Sequence, residues 1–328
     1  FENQRRDGLA YAATHADIGV HKDFHFILLL WHVVYWHLRA RAAQSQCEYN
    51  FGIVIIAAID EFRQMKNAWN QWYISHIFNT QVAHLPSLIP ALNLTRETCA
   101  AIVGAGGKTT LLFSLARAFS PPVWLTTTTH LAAEQCRWAD RHIIITGPEQ
   151  TVDVDGYADG LILFSGPLTR NERVASTPED FILRLAETAA LNRIPLLIEA
   201  DGARRLLLKA PKDHEPPIPG FVNTVMVVAS LSALGKPLTE ETVYNPAGFA
   251  QLTHLPENAP IAPQHIVDVL LHPFGGLKNI PARVTPQAVL THAVTSAEVN
   301  PGRAIARQLL PTYQAVHLAH LQPGPTLL

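Results

Sequence analysis

Proline is missing from the first 85 residues. All 24 prolines of this 328-residue chain stand at or beyond Pro86, whereas average usage of roughly 5% predicts about four in a stretch of that length. Only three of the 18 glycines precede Gly104, while four of the six tryptophans (Trp31, Trp36, Trp69 and Trp72) fall before Leu85, and no methionine opens the sequence. The expectation is an atypical N-terminal extension over 1–84, of separate compositional origin, and a single domain over 85–328. Cysteine is scarce too: Cys47, Cys99 and Cys136 are odd in number and unpaired in spacing, which argues against a disulfide framework or a zinc site and fits a reducing cytoplasm. Blocks of lysine and arginine are absent and the net charge is -2, which argues against a nucleic-acid-binding protein. No long hydrophobic run exists either. The most apolar stretch, Phe24 to Leu38, is interrupted by His25, His32 and His37, too short and polar for a membrane span and without the charged start and cleavage site of a signal peptide. His25, His32 and Trp36 match no ligand spacing, and a half-buried helix accounts for them.

What remains is a globular chain, 48% hydrophobic with a mean hydropathy of +0.10, and ample core for one large or two modest domains. From about Leu85 its pattern is regular. Apolar runs at Val123–Leu125, Ile143–Ile145, Leu161–Phe164, Leu196–Ile198 and Val225–Val228 alternate with helical stretches such as Lys108–Phe119 and Thr177–Leu191, the latter with Thr177 as its expected N-cap. Continuous apolar strands divided by helices predict an α/β fold, a mostly parallel sheet covered by helices on both faces. The proline-rich sequence from Gly235 on predicts a smaller C-terminal lobe of helices and loops.

The centre of the sequence is Gly104-Ala105-Gly106-Gly107-Lys108-Thr109-Thr110, between the apolar run Ala100–Val103 and a helical pattern that continues through Leu111, Leu112 and Leu115. Strand, glycine turn and helix start form a phosphate-binding loop: glycines let backbone N–H groups curl toward an anion, and the helix points its positive end at the same place. Lys108 would reach the outer phosphates and Thr109 would ligate Mg²⁺. The loop is two residues shorter than the common Walker form, because a glycine is required where Ile102 stands. A dinucleotide fingerprint fails on its third glycine, at Thr109. The short spacing resembles the Gly-x-x-Gly-Lys-Thr loop of Mur-type peptide ligases. The bland alternative is a glycine turn with a surface lysine.

Further candidates follow at strand ends. Thr126 to Thr129 close the Val123 run in hydroxyls, and Thr128 or Thr129 could hold metal or γ-phosphate; solvated threonines on a β-prone strand are the competing reading. Leu196-Leu197-Ile198-Glu199-Ala200-Asp201-Gly202 breaks from apolar into acidic, as a metal-holding strand does. Glu199 and Asp201, two apart, would project to one side of an extended strand, unless they merely pair with Arg204 and Arg205. Those arginines and Lys209 could neutralise charge spreading during phosphoryl transfer, read an anionic substrate, or form a solvated basic turn. His214 reads as a surface histidine more readily than a proton-transfer group. The loop Ser230–Leu238 follows another strand on the same edge.

Four segments in order, Ile-Val-Gly-Ala-Gly-Gly-Lys-Thr-Thr (102–110), Leu-Thr-Thr-Thr-Thr-His (125–130), Glu-Ala-Asp-Gly-Ala-Arg-Arg (199–205) with Leu-Lys-Ala-Pro-Lys-Asp-His-Glu-Pro (208–216), and Ala-Leu-Gly-Lys-Pro-Leu (233–238), resemble the selenium-dependent hydroxylase accessory proteins of the YqeC type. The resemblance covers about 85–321. It implies a P-loop nucleotide-binding factor that serves the maturation of selenium-dependent molybdenum hydroxylases, with those enzymes or their cofactor-maturation proteins as partners; the residues of the loop and of the acidic strand end lean the reading toward a slow NTPase. The residues that match the family motifs are Gly104, Gly106, Gly107, Lys108, Thr109, Thr110, Glu199, Asp201, Gly202, Arg204, Arg205, Lys209 and His214. Read from residue chemistry, Gly104, Ala105, Gly106, Gly107, Lys108, Thr109, Thr110, Thr128 and Thr129 would hold the nucleotide. Lys108, Glu199, Asp201, Arg204 and Arg205 would be catalytic, Thr109 and Asp201 would hold Mg²⁺, and Lys209 and His214 match by position. The cofactor is ATP or GTP, with ATP favoured because no Asn-Lys-x-Asp guanine motif is evident. Departures fall where the family is expected to carry an acid near Ser232, a His-Arg pair near Tyr244-Asn245 and an Asn-Gln-x-Asp-like strand end at Thr291–Thr295. Two rival functions stand beside this one: an ATP-dependent ligase forming an acyl phosphate, and a non-catalytic module whose partner affinity is switched by nucleotide.

Overall fold

The structure, a computed structural model, describes residues 89–147, 149–152 and 154–321. The expected extension over 1–84, with the Phe24–Leu38 run and His25, His32 and Trp36, lies outside the described residues.

The chain runs β1 (Cys99–Gly104), α1 (Lys108–Ala118), β2 (Val123–Thr127), β3 (Leu131–Ala132), β4 (Arg141–Ile144), β5 (Leu161–Ser165), β6 (Arg173–Val174), α2 (Glu179–Leu191), β7 (Leu196–Glu199), β8 (Leu208–Lys209), β9 (Thr224–Ser230), β10 (Val243–Tyr244), α3 (Pro246–Thr253), α4 (Pro263–Leu271), β11 (Gln287–Thr291), α5 (Ser296–Leu309) and β12 (Ala315–Ala319). Eight strands form one sheet in the order β12-β11-β9-β1-β7-β2-β5-β4, and every pairing in it is parallel. The short strands make two ribbons, β10 with β8 and β3 with β6.

Burial on both faces explains why these strands read as continuous apolar runs. Successive residues feed opposite layers. Ala101, Val103, Trp124, Phe164, Ile198 and Val227 enter one core, while Ala100, Ile102, Leu125, Leu163, Leu197 and Met226 enter the other. Helix α1 covers the second layer through Leu111, Leu112 and Leu115. Helices α2, α4 and α5 cover the first through Phe181, Leu185, Ile266, Leu270, Ile305 and Leu309. Each such side chain contributes about 1.5–3 kcal/mol when fully buried. Trp124 is wholly enclosed, and its indole N–H donates to the Tyr157 carbonyl at 3.2 Å.

The α/β class and the five predicted strands stand, most lengthened by a residue or two. Two details differ from the sequence reading. Thr177 does not cap α2, since Pro178 occupies that position. The Thr177 hydroxyl, buried under the sheet, instead donates to the Phe164 carbonyl at 3.1 Å and accepts from Thr126 at 2.9 Å. The proline-rich segment forms two helices, α3 and α4, both begun by proline at the first helical position, but they join the sheet's first core layer through Phe249, Ile266 and Leu270 and do not stand apart as a lobe. The chain then returns to the sheet as β11 and β12, strands with short, weak apolar signatures.

Topology decides where a ligand can sit. From β1 the chain moves to one side (β2, β5 and β4), comes back at β7 beside β1, then crosses to β9, β11 and β12. The carboxyl end of β1 is therefore the point where the direction of winding reverses, and crevices form there in open parallel sheets. Among the described residues, no helix is long and apolar enough to cross a membrane.

Candidate functional site

The glycine loop leaves the sheet at that reversal point. Gly104, Gly106 and Gly107 have φ of 91°, 80° and 121°, a region that side chains rarely tolerate. Space forbids a side chain as firmly as angle does. A Cβ on Gly104 would lie 2.2 Å from the Val228 carbonyl oxygen, and one on Gly106 would lie 2.4 Å from Ser230 Cβ and 2.6 Å from the Leu207 carbonyl oxygen. The Ala105 N–H donates to Val228 O at 2.9 Å, and the Thr291 hydroxyl donates to Gly106 O. So β9 and β11 hold the loop from one side. Helix α1 begins at Lys108 with no side-chain cap. The backbone N–H groups of Gly106 through Thr110 have no acceptor among the described residues. Five open donors at the positive end of a helix are suited to an anion with several oxygens.

Buried charges lie next to these donors. Lys108, Glu199, Asp201, Lys209 and Glu215 are all buried. Lys108 Nζ donates to Gly104 O at 2.8 Å, and no carboxylate forms an ion pair with it among the described residues. Burial lowers its pKa, against the raising influence of Glu199 and Asp201. The Thr109 hydroxyl donates to Glu199 Oε2 at 2.7 Å. Burial raises the Glu199 pKa, opposed by Lys108 and by that hydroxyl. Asp201 accepts the Gly104 N–H at 3.3 Å and pairs with Lys209. Its pKa too is raised by burial, with Lys108 and Lys209 opposing. Lys209 Nζ also donates to Gly202 O at 2.7 Å and to Glu215 Oε2 at 2.9 Å. For Glu215 burial pushes upward, but donors from the Lys212 N–H, Lys209 and Tyr244 prevail and its pKa is lowered. The Tyr244 hydroxyl donates to Glu215 Oε1 at 3.1 Å.

The sequence of this region has relatives. A family model described as YqeC protein matches residues 100–247. A protein of Escherichia coli (strain K12), described as the uncharacterized protein YqeC, is 33% identical over 189 residues, which is 57% of this chain and 72% of the relative. The chain belongs to the YqeC family. No solved structure matches it.

Within this YqeC-family chain the expected site residues separate into two groups. Gly104 to Thr110, Glu199 and Asp201 meet at the carboxyl edge of β1 and β7. Glu199 and Asp201 both act on Lys108 but have different hydrogen-bond partners, Thr109 for Glu199 and Lys209 with the Gly104 N–H for Asp201. Thr128 and Thr129 stand on the same edge beyond β2: the Thr128 N–H donates to Glu199 O at 3.1 Å, and the Thr129 hydroxyl packs against Gly202. Arg204 and Arg205 are exposed, and Arg205 pairs with Glu134 rather than with either acid. His214 is exposed. Sequence reasoning assigned no role to Thr127, Glu215, Tyr244 or Thr291, whose contacts organise the site. The unusual run Lys212-Asp213-His214-Glu215 before two prolines was the signal for Glu215. A small crevice is lined by Gly104, Asp201, Lys209, Pro216, Leu270 and Gly276, among others.

Proposed function

We propose that this chain binds a Mg²⁺–nucleoside triphosphate at the Gly104–Thr110 loop and hydrolyses it slowly, as a cytoplasmic accessory factor in the maturation of selenium-dependent molybdenum hydroxylases. The observation that carries the nucleotide reading is the set of five backbone donors without an acceptor beside a buried lysine without an ion-paired acid, among the described residues. A triphosphate would satisfy both, and its charge would restore the lysine to full protonation.

The donor set at Thr109 and Glu199, a hydroxyl and a carboxylate in contact, fits a hard oxygen-seeking cation. Mg²⁺ there would draw charge from the phosphate oxygens. We therefore assign the second metal ligand to Glu199 in place of Asp201, which is occupied by Lys209 and the Gly104 N–H. Asp201 then acts on the loop itself, fixing the residue where β1 ends. Thr128 and Thr129 line the approach for the attacking water, and Arg205 supplies positive charge as charge spreads on the phosphoryl oxygens, while Arg204, which lies over the Tyr244 ring, stays outside the nucleotide site. ATP is preferred to GTP for want of a guanine-reading motif. The maturation role rests on the family resemblance.

Calorimetric titration of ATP and of GTP, each with Mg²⁺, into wild type and Lys108→Ala tests the core of this reading. Saturable binding in wild type and none in the variant is expected. Equal affinity in the two proteins overturns it.

A further inference from the structure

We propose that the loop following β7 carries a second binding site, specific for a phosphate-type dianion and distinct from the nucleotide loop, built from Arg204 and Lys212 around Tyr244. It extends the nucleotide reading by giving the protein a second ligand.

Three cations gather on one ring. Lys209 Nζ lies 4.4 Å, Lys212 Nζ 5.4 Å and Arg204 Cζ 5.8 Å from the Tyr244 ring centroid. Lys209 is neutralised by the two carboxylates it bridges, Asp201 and Glu215. Arg204 and Lys212 are exposed and have no carboxylate partner among the described residues, unlike Arg205, whose guanidinium is held by Glu134. Attraction to an aromatic face is weak at an exposed site and does not by itself account for two like charges held together against their repulsion.

The backbone brings them there at a cost. Arg204 and Arg205 are consecutive left-handed residues, with φ of 49° and 63°, a conformation that asparagine or glycine adopts far more readily. Such strain persists where the surroundings over-determine it, and here they do. The Lys209 bond to Gly202 O lies before the strained pair, and the pairing of β8 with β10 fixes the chain just after it. Tyr244, which ends β10, is in turn held by Glu215, and Lys278 Nζ fixes the backbone at Lys212 and Asp213 through bonds of 2.7 and 3.0 Å. Only the charged ends of Arg204 and Lys212 are left free. Two free cations on a rigid support match an anion near two negative charges at neutral pH, and the planar arginine fork suits tetrahedral oxygens.

Position gives the site a use. Asp201 joins Lys209 of this cluster to the Gly104 N–H of the glycine loop, so the anion would sit one buried ion pair away from the nucleotide site. A ligand carrying a phosphoryl group could be held there while the nucleotide occupies its own loop.

Full-length protein saturated with Mg²⁺ and the non-hydrolysable ATP analogue AMP-PNP is titrated with inorganic phosphate by calorimetry, for wild type and for Arg204→Ala/Lys212→Ala. With the γ-phosphoryl position occupied, phosphate can report only on a further site. Saturable phosphate binding in wild type, weakened roughly tenfold or more in the double variant, with AMP-PNP affinity within about threefold of wild type, is the expected result. No saturable phosphate binding, equal binding in both proteins, or a parallel loss of AMP-PNP affinity overturns the proposal, the last because it would assign the two cations to the nucleotide. Failure of AMP-PNP to bind any of the proteins instead refutes the nucleotide reading, and phosphate titrated into nucleotide-free protein then tests the second site by itself.

Discussion

Replacing Lys209 by methionine would retain most of the stem and remove the charge that two acids share. The Lys209 side chain is 1% exposed, and its ammonium contacts Asp201, Glu215 and the Gly202 carbonyl. Removing one member of a buried ion network leaves the others buried without a counter-charge, which typically costs about 3–5 kcal/mol. At roughly 2–4 °C per kcal/mol for a domain of this size, the thermal midpoint should fall by about 6–20 °C. Urea unfolding at pH 7, followed by far-ultraviolet circular dichroism, measures the difference directly. The pH dependence adds a second check. In wild type Glu215 has a lowered pKa, so its contribution is present above its unfolded value and is lost as pH falls through the folded one. Without Lys209, burial should raise Asp201, already above its ordinary value, further and push Glu215 above its unfolded value. The folded variant then binds more protons than the unfolded chain and gains stability as pH falls. The gap between variant and wild type should narrow from pH 7 toward pH 4, and adding Asp201→Asn and Glu215→Gln to the variant should recover much of the loss at pH 7. A loss under about 1 kcal/mol, or a gap that stays constant with pH, would refute the reasoning.

Gly106→Ala should abolish nucleotide binding and lower stability by about 1–3 kcal/mol, since a methyl group would meet the Leu207 carbonyl and Ser230 at a φ of 80°; a variant that binds ATP normally counts against the described loop. Thr109→Val should leave metal-free nucleotide binding in place while reducing the gain in affinity that Mg²⁺ confers by roughly tenfold, and titrations with and without Mg²⁺ separate the two. His317, a half-buried ring whose Nε2 lies 3.0 Å from Gln287 Oε1, has its pKa lowered by burial to about 4. Unfolded chain therefore takes up the proton first, and stability present above the unfolded value near 6.5 is lost as pH falls toward 4, by roughly 1–2 kcal/mol at pH 5. His317→Gln should flatten that part of the urea-midpoint profile, and an unchanged slope would exclude the histidine as its source.

The loop, the five strands around it and the two acids after β7 could be read from residue order because local chemistry dictates them: glycine where φ is positive, apolar runs where both faces are covered, acids where a strand stops. The roles of those acids could not. A two-residue spacing says nothing of which donor each acid meets, and these two, both near Lys108, take different ones. What engages Asp201 is Lys209, whose strand β8 pairs with β10 without any local signature. Strands β11 and β12 have no apolar pattern of their own for a related reason, and only the family resemblance points to a strand end at Thr291. Gln287-Ala-Val-Leu-Thr is short and polar at both ends, and its two ends are buried because Gln287 bonds the Leu92 carbonyl and His317 while Thr291 bonds the glycine loop. The threonine run before His130 mixes two kinds of residue. Thr126 and Thr127 are internal struts, and only Thr128 and Thr129 reach the site's edge.

The loop that begins so early in the domain is shaped by partners that come late. Gly106 packs against Leu207 and Ser230, and its carbonyl is bonded by Thr291, 185 residues further on. A chain emerging from the ribosome carries Gly104 to Thr110 long before β9 or β11 exists, so during synthesis the segment is a flexible, glycine-rich stretch with no means of holding its amides in a cradle. Parallel sheets built from such distant pairings close slowly, after the loop entropy has been overcome. Capacity to capture an anion at the loop should therefore appear in one step, when the last sheet strands dock, and the same step would bury the five charged groups that no partly formed chain could hold in place.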